Sequence, residues 1–352
     1  MTFQLPRPLL CALAAGFALA GLVSGATAQT QPADMLEIKL ALGTSDVNFN
    51  PTTASVFKLA ESLGFYEKHG VKVTIVALDG TPQAVAALNS GAVDIADISI
   101  DAAIRLRADN DIPIRGFAAV AMGNPFLIAS KTDITTVEQL VGRSYAIADS
   151  GSLDHNLTRA VLASYGVSPD GPQFVAIGAP DVRVQALAAG QVDATTVSFG
   201  TYQSIAGTAG IHVLVDPVQY AERSPGQSKF VAALEGTIET KREALQRFTD
   251  ALADASRAMQ ASPDTWAAAM AAAREDLSAD AIAATAAINT PRWCVNGCMN
   301  IESLSKAVDF TYANPDFKDV KVVPVDELID LSFNAKMLET LGAYDGEVLD
   351  KR

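Results

Sequence analysis

Histidine and cysteine are both scarce, with three of each in 352 residues. A zinc centre built from them needs four ligands, and His69, His155 and His212 are far from one another and from the cysteines in the chain, so no metal site is expected. Basic residues are also in deficit: 26 Lys and Arg stand against 40 Asp and Glu, a net charge of −14. Such a chain repels polyanions, which excludes nucleic acid as a partner. Beyond the N-terminus, no uncharged apolar run reaches the length of a membrane span. A nucleophile elbow and a phosphate-binding loop of the G-x-x-x-x-G-K type are missing too, so no catalytic residue and no cofactor is expected.

What is present is a globular composition, 49% hydrophobic and 19% charged, in a chain long enough for two domains with real cores. Its first residues read as an export signal. Arg7 is followed by an apolar run over 9–23, and Ala26-Thr27-Ala28 supplies the small-x-small cleavage pattern. The expectation is a signal peptide over 1–28, cleavage after Ala28 and a periplasmic mature protein starting at Gln29. Loss of Arg7 takes the charge from −14 to −15. Cys11 goes with the signal, leaving Cys294 and Cys298. An oxidising compartment and the turn Asn296-Gly297 between them favour a local disulfide, with two free buried thiols as the alternative.

The stretch 64–99 organises the rest. Residues 71–77 (VKVTIVA) alternate and are β-branched, as a half-buried strand requires. Asp79-Gly80 turns the chain, Thr81 is read as an N-cap with Pro82 in the first turn, Gly91 stops the helix, and 93–98 form the next strand. This is a βαβ unit, which places a helix N-terminus at the carboxyl end of a strand, where ligands of open α/β sheets collect. The unit recurs at an offset of 99: TPQAVAALNSGAVDIADIS and PDVRVQALAAGQVDATTVS agree at seven of nineteen positions, Gly91/Gly190, Asp94/Asp193 and Ser99/Ser198 among them. Two similar lobes with a cleft between them are therefore expected. Asp94 and Asp193 begin strands at the end away from that cleft and read as structural groups.

Lobe one is expected to comprise 29–121 and a mostly helical 218–352, and lobe two 122–217. Connections near 121–125 and 215–218 would make a two-crossing hinge. The C-terminal helices read as packing elements.

The patterns GFYEKHGVKVTIVALDG, AVAALNSGAVDIADIS, DITTVEQLVGRSYAIADSGS and ALAAGQVDATTVS, with PVDELIDLSFNAKMLETLG near the C-terminus, resemble the solute-binding proteins of ABC transporters. The branch is the nitrate, sulfonate, taurine and thiamine-pyrimidine-precursor group. The resemblance implies a two-lobed type II periplasmic-binding fold, each lobe a mixed sheet flanked by helices. It also implies capture of a small solute, of no particular kind, and its delivery to a membrane permease; an anionic or heteroaromatic solute and a monomeric receptor are expected. Fungal pyrimidine-precursor synthases on this fold carry a cysteine-rich signature that is absent here. An enzyme of the same fold and a periplasmic sensing module are the alternative readings.

In such a fold the loops at strand ends would hold the ligand: Thr44, Ser45, Gly80, Thr81 and Ser99 from lobe one, and Ser150, Gly151, Ser152 and Ser198 from lobe two. Several precede helices, whose N-terminal amides attract anions. Ser152 opens a long helix and is the leading candidate, with its backbone N–H expected to meet the ligand. Asn48, Phe49 and Tyr202 would add walls and polar tips. Arg159 and Arg183 are expected on helix surfaces, with a counter-ion role as the alternative, and His155 is placed either toward the ligand or toward solvent.

Overall fold

Apolar residues on alternating sides give β1 (Leu36–Leu42) two buried faces, with Ile38 and Leu40 in one core and Ala41 in the other. The computed structural model describes Met1 and residues 35–43, 49–121, 123, 126–224 and 227–345. The expected signal peptide and its cleavage site lie outside the described residues, as do Thr44, Ser45 and Asn48. After β1 come α1 (Val56–Ser62), α2 (Phe65–Lys68), β2 (Val71–Ala77), α3 (Thr81–Asn89), β3 (Ile95–Ser99), α4 (Ile100–Asn110) and β4 (Ile114–Ala118). The chain then enters β5 (Phe126–Lys131), β6 (Ser144–Ile147), α5 (Leu153–Ser164), β7 (Gln173–Ala176), α6 (Pro180–Ala188), β8 (Ala194–Ser198), α7 (Phe199–Tyr202), β9 (Ile211–Val215) and α8 (Pro217–Arg223). It returns through β10 (Lys229–Leu234) into α9 (Glu235–Ala261), α10 (Pro263–Ala273), α11 (Ala279–Asn289), α12 (Ile301–Ala313), α13 (Val325–Leu328) and α14 (Ser332–Leu341).

Two five-stranded mixed sheets result, ordered β2-β1-β3-β10-β4 and β7-β6-β8-β5-β9. The orders match strand for strand: β10 lies antiparallel beside β3, and β5 lies antiparallel beside β8. Each of these two strands is the first that the chain forms after crossing between sheets. α8, which begins where the expected boundary at 217/218 lies, packs against β5 and buries Tyr220 in the second core, so the described chain rejoins the first sheet only at β10.

Both faces of each sheet carry a core, which is why β3 and β8 are buried along their whole length. On the first sheet, α9 contributes Phe248, whose ring lies 5.9 Å from that of Tyr66 and 6.3 Å from that of Phe117. Burying one such ring stabilises the lobe by about 1.5–3 kcal/mol.

The repeat is also visible in the hydrogen bonding. Asp94 accepts from the backbone N–H of Lys39 on β1 at 2.9 Å, and Asp193 accepts from that of Ser144 on β6 at 3.0 Å. Each carboxylate staples the start of one strand to its neighbour, through the same position of the repeated unit. Asp193 is partly buried, which opposes its ionisation. Hydrogen bonds from Lys131 and Ser144 outweigh that and hold its carboxyl below the usual range.

Cys294 and Cys298 are joined by a disulfide, and both lie buried in the first lobe. Gly297 between them has φ +90°, and Cys298 itself has φ +52°, so the bridge closes a tight left-handed turn. No described helix is long and apolar enough to cross a membrane.

Candidate ligand-binding site

The carboxyl ends of the two sheets face each other, and the loops there are in contact. Gln83 of α3 donates from Nε2 to Asp149 Oδ2 across the gap at 2.9 Å. Asn156 of α5 donates to Asp101 Oδ2 at 2.6 Å, and Arg159 pairs with Asp316. On another rim Arg274, at the end of α10, reaches Asp181 of α6 at 3.0 Å while its Nη1 donates to Phe49 O at 3.0 Å. Burial pushes the Asp181 carboxyl upward, and the Arg274 guanidinium opposes that. Gly200 lies against the Pro51 carbonyl so closely that a Cβ there would stand 2.3 Å from the oxygen. The C-terminal helices, expected only to pack, therefore hold one edge of the interlobe contact.

Between these contacts lies a cleft open to solvent, of about 880 Å³ when the solvent in its mouth is included. Leu42, Phe57 and Phe126 are among its apolar lining, and Asn50, Ser152, Ser198 and Thr201 are among its polar lining. Two buried ion pairs also reach it. In the first lobe, Lys229 of β10 contacts Asp97 of β3 at 3.2 Å. In the second, Arg183 of α6 contacts Asp154 of α5 at 2.6 Å. Burial pushes the Asp97 carboxyl above its usual range, with Lys229 working against it.

Arg183 is only 3% exposed, so it is not on the helix surface where the sequence placed it. The reason is its partners: Nη1 donates to Asp154 Oδ2 and, at 2.9 Å, to Thr196 O on β8, which pull the side chain inward. Its Nε is buried and has no partner among the described residues. That leaves the guanidinium edge opposite Nη1 as a preformed fork for oxygen acceptors. Arg159 does lie at the lobe boundary, but its charge meets Asp316 and Asp170.

Ser152 lines the cavity and is 2% exposed. Its N–H, expected to meet a ligand, donates instead to Asp149 O at 3.1 Å, because residues 149–152 close a turn before α5. The hydroxyl is the group left over, buried and unpartnered among the described residues. Asn50 Oδ1 is in the same condition on the opposite wall. Ser198 also lines the cavity, but its Oγ accepts from Thr201 N at 3.1 Å and caps α7.

The remaining expected residues among those described are not part of the cavity wall. Gly80, not Thr81, occupies the cap position before α3; Thr81 is the first helical residue, with its hydroxyl buried and unpartnered. Ser99 occupies the cap position before α4, fully buried and without a side-chain cap hydrogen bond. Ser150 is exposed, and its N–H is taken by Asp149 Oδ1 at 2.7 Å. Gly151, at φ +78°, donates to His155 Nδ1 at 3.1 Å. His155 stacks edge-on against Phe174 at 4.7 Å, and burial followed by the Arg159 charge lowers its pKa. Phe49 packs on the first core, and Tyr202 belongs to the second-lobe core with Leu127 and Val197. Among the described residues, no group of three or more His, Cys, Asp and Glu side chains is placed to hold a metal ion.

Solved structures share this architecture. A protein from Bordetella bronchiseptica RB50 superposes with a TM-score of 0.76 at 18% identity, over 89% of this chain and all of that one. The periplasmic aliphatic sulphonate binding protein SsuA from Escherichia coli gives 0.63 at 20% identity, over 85% and 92%. The alkanesulfonate-binding protein SsuA from Xanthomonas axonopodis pv. citri, bound to MOPS, gives 0.66 at 18% identity, over 85% and 99%. These likenesses establish a two-lobed periplasmic-binding fold. No curated protein matches the chain. A family model described as NMT1/THI5 like matches residues 50–266, more than half of the sequence, and the chain belongs to the NMT1/THI5-like family.

Proposed function

We propose that the protein is the solute-binding receptor of an ABC-type importer. It captures one small organic solute between its lobes and delivers it to a permease in the inner membrane. The observation that carries this reading is the cavity between the sheets, in whose wall each lobe places a residue with a buried side-chain atom that has no partner among the described residues, Ser152 Oγ from one and Asn50 Oδ1 from the other. Each such atom costs about 1–3 kcal/mol while unsatisfied, and a ligand that reaches both recovers that cost only when the lobes are together. Closure is thereby coupled to occupancy. Supporting the reading are the family assignment and the sulfonate-binding proteins that share the fold. Ser152, Ser198 and Arg183 are the proposed contacts from the second lobe. The protein acts in the periplasm as a monomer, after removal of residues 1–28.

The test is a thermal-shift and calorimetry screen of the mature protein against small organic acids, amides and heterocycles, with mass spectrometry of each mixture. A receptor gains melting temperature in proportion to the logarithm of ligand concentration and leaves the compound unchanged. Product formation from any compound would replace this reading with that of an enzyme.

A further inference from the structure

Charge in the cavity wall is balanced at both ends. Lys229 is matched by Asp97, and Arg183 by Asp154, so neither cation brings uncompensated positive charge to the cavity. Asp154 is already counted against Arg183, so the roughly half positive charges at the N-termini of α5 and α3 together meet one further carboxylate, the exposed Asp79 at the mouth. The described lining thus sums to about zero. Bringing an isolated anion into such a site costs several kcal/mol of lost hydration, with no unmatched cation to offset it.

Polar capacity, by contrast, is left over and is sorted by lobe. The second lobe offers donors, Arg183 Nε and Ser152 Oγ. The first offers acceptors: Asn50 Oδ1, and the Asp97 carboxylate, whose only hydrogen-bond partner among the described residues is Lys229 through Oδ2. Resting on the receptor reading above, we infer that the cleft selects a solute of zero net charge, neutral or zwitterionic, whose acceptor end meets Arg183 and Ser152 and whose donor end meets Asp97 and Asn50. Phe57 and Phe126 line the same cavity and suit an apolar or aromatic body between those ends. Solutes of net negative charge, whether sulfonates, phosphates or simple carboxylates, are selected against.

Isosteric pairs test this: nicotinamide with nicotinate, and β-alanine with 3-hydroxypropionate, alongside isethionate and inorganic sulfate. Each is titrated by thermal shift and calorimetry into the mature wild-type protein. The expected result is binding of a neutral or zwitterionic member at least tenfold tighter than its anion. Asp97→Asn, which removes one negative charge from the wall, should narrow that ratio or reverse it. Tighter wild-type binding of an anionic member overturns the inference and leaves the receptor reading intact. Silence from every compound overturns both. The wild-type comparison decides even if the variant does not fold.

Discussion

Gly80 of the first lobe lies directly against Ser152 of the second: a Cβ built on the glycine would stand 2.6 Å from the serine hydroxyl. The glycine's φ is −168°, an extended value that any residue adopts, so it is space and not backbone freedom that matters here. The hydroxyl left without a partner is therefore pinned at the point where the lobes touch, beside the cavity it lines.

Gly200 offers the sharper test of closure. The obstacle to a side chain at Gly80 is a hydroxyl that can rotate, but at Gly200 it is the backbone oxygen of Pro51, 2.3 Å from the added Cβ, with Thr285 Cγ2 at 2.8 Å. Gly200→Ala should hold the lobes apart and weaken ligand binding about tenfold or more, equivalent to ~1.4 kcal/mol. Small-angle scattering with saturating ligand should show incomplete compaction. Wild-type affinity in this variant would mean that the contact is not needed for closure.

Arg183 separates charge from geometry. Arg183→Ala leaves Asp154 buried without its partner and should cost about 3–5 kcal/mol of stability, read by chemical denaturation. Arg183→Lys keeps the charge but loses the planar fork. It should fold while binding the ligand about 10–100-fold more weakly, as calorimetry would show.

A pH dependence is expected from His155. Its pKa is depressed in the folded protein, so folding favours the neutral ring, which accepts from Gly151 N–H. The stability it contributes is whole above the unfolded value of about 6.5 and is lost as the pH falls below that toward the folded value. Melting temperatures from pH 8 to 5 should decline more steeply in the wild type than in His155→Gln.

Asp193 has a dependence of the same sign in a more acidic range. Its carboxyl is held low, so its contribution is present above about 3.9 and is lost as the pH falls through the folded value. Asp193→Asn should cost about 1 kcal/mol at pH 7. The gap should close in acid, where the wild-type carboxyl is itself neutral.

Reduction of the Cys294–Cys298 bridge should lower stability modestly, since its loop is short: about 2 kcal/mol on the chain-entropy account. The double Cys→Ser variant, compared with wild type by denaturant titration, measures it.

Much of the fold was legible because its signals are local. Gly91 and Gly190 end matching helices, and Asp94 and Asp193 begin matching strands, so a ten-residue window carries the evidence for each. The site was less legible because its partners are far apart in the chain. Lys229 meets Asp97 across 132 positions, through strands brought together only by the return crossing. Arg183 sits on a helix whose sequence reads as ordinary surface, and nothing local reveals that Asp154 and the Thr196 carbonyl draw it inside. Ser152 lines the cavity, but the sequence does not reveal that its N–H is consumed by the turn to Asp149 O.

The placement of β10 between β3 and β4 has a consequence for biogenesis. An interior strand of the N-terminal sheet is encoded after the whole of the other sheet, so the first 118 residues leave a ribosome or a translocation channel with a slot they cannot fill themselves. Stable folding must wait until about two-thirds of the polypeptide has emerged. For the exported protein proposed above, that delay is an advantage, because a chain that cannot finish its first half early stays threadable.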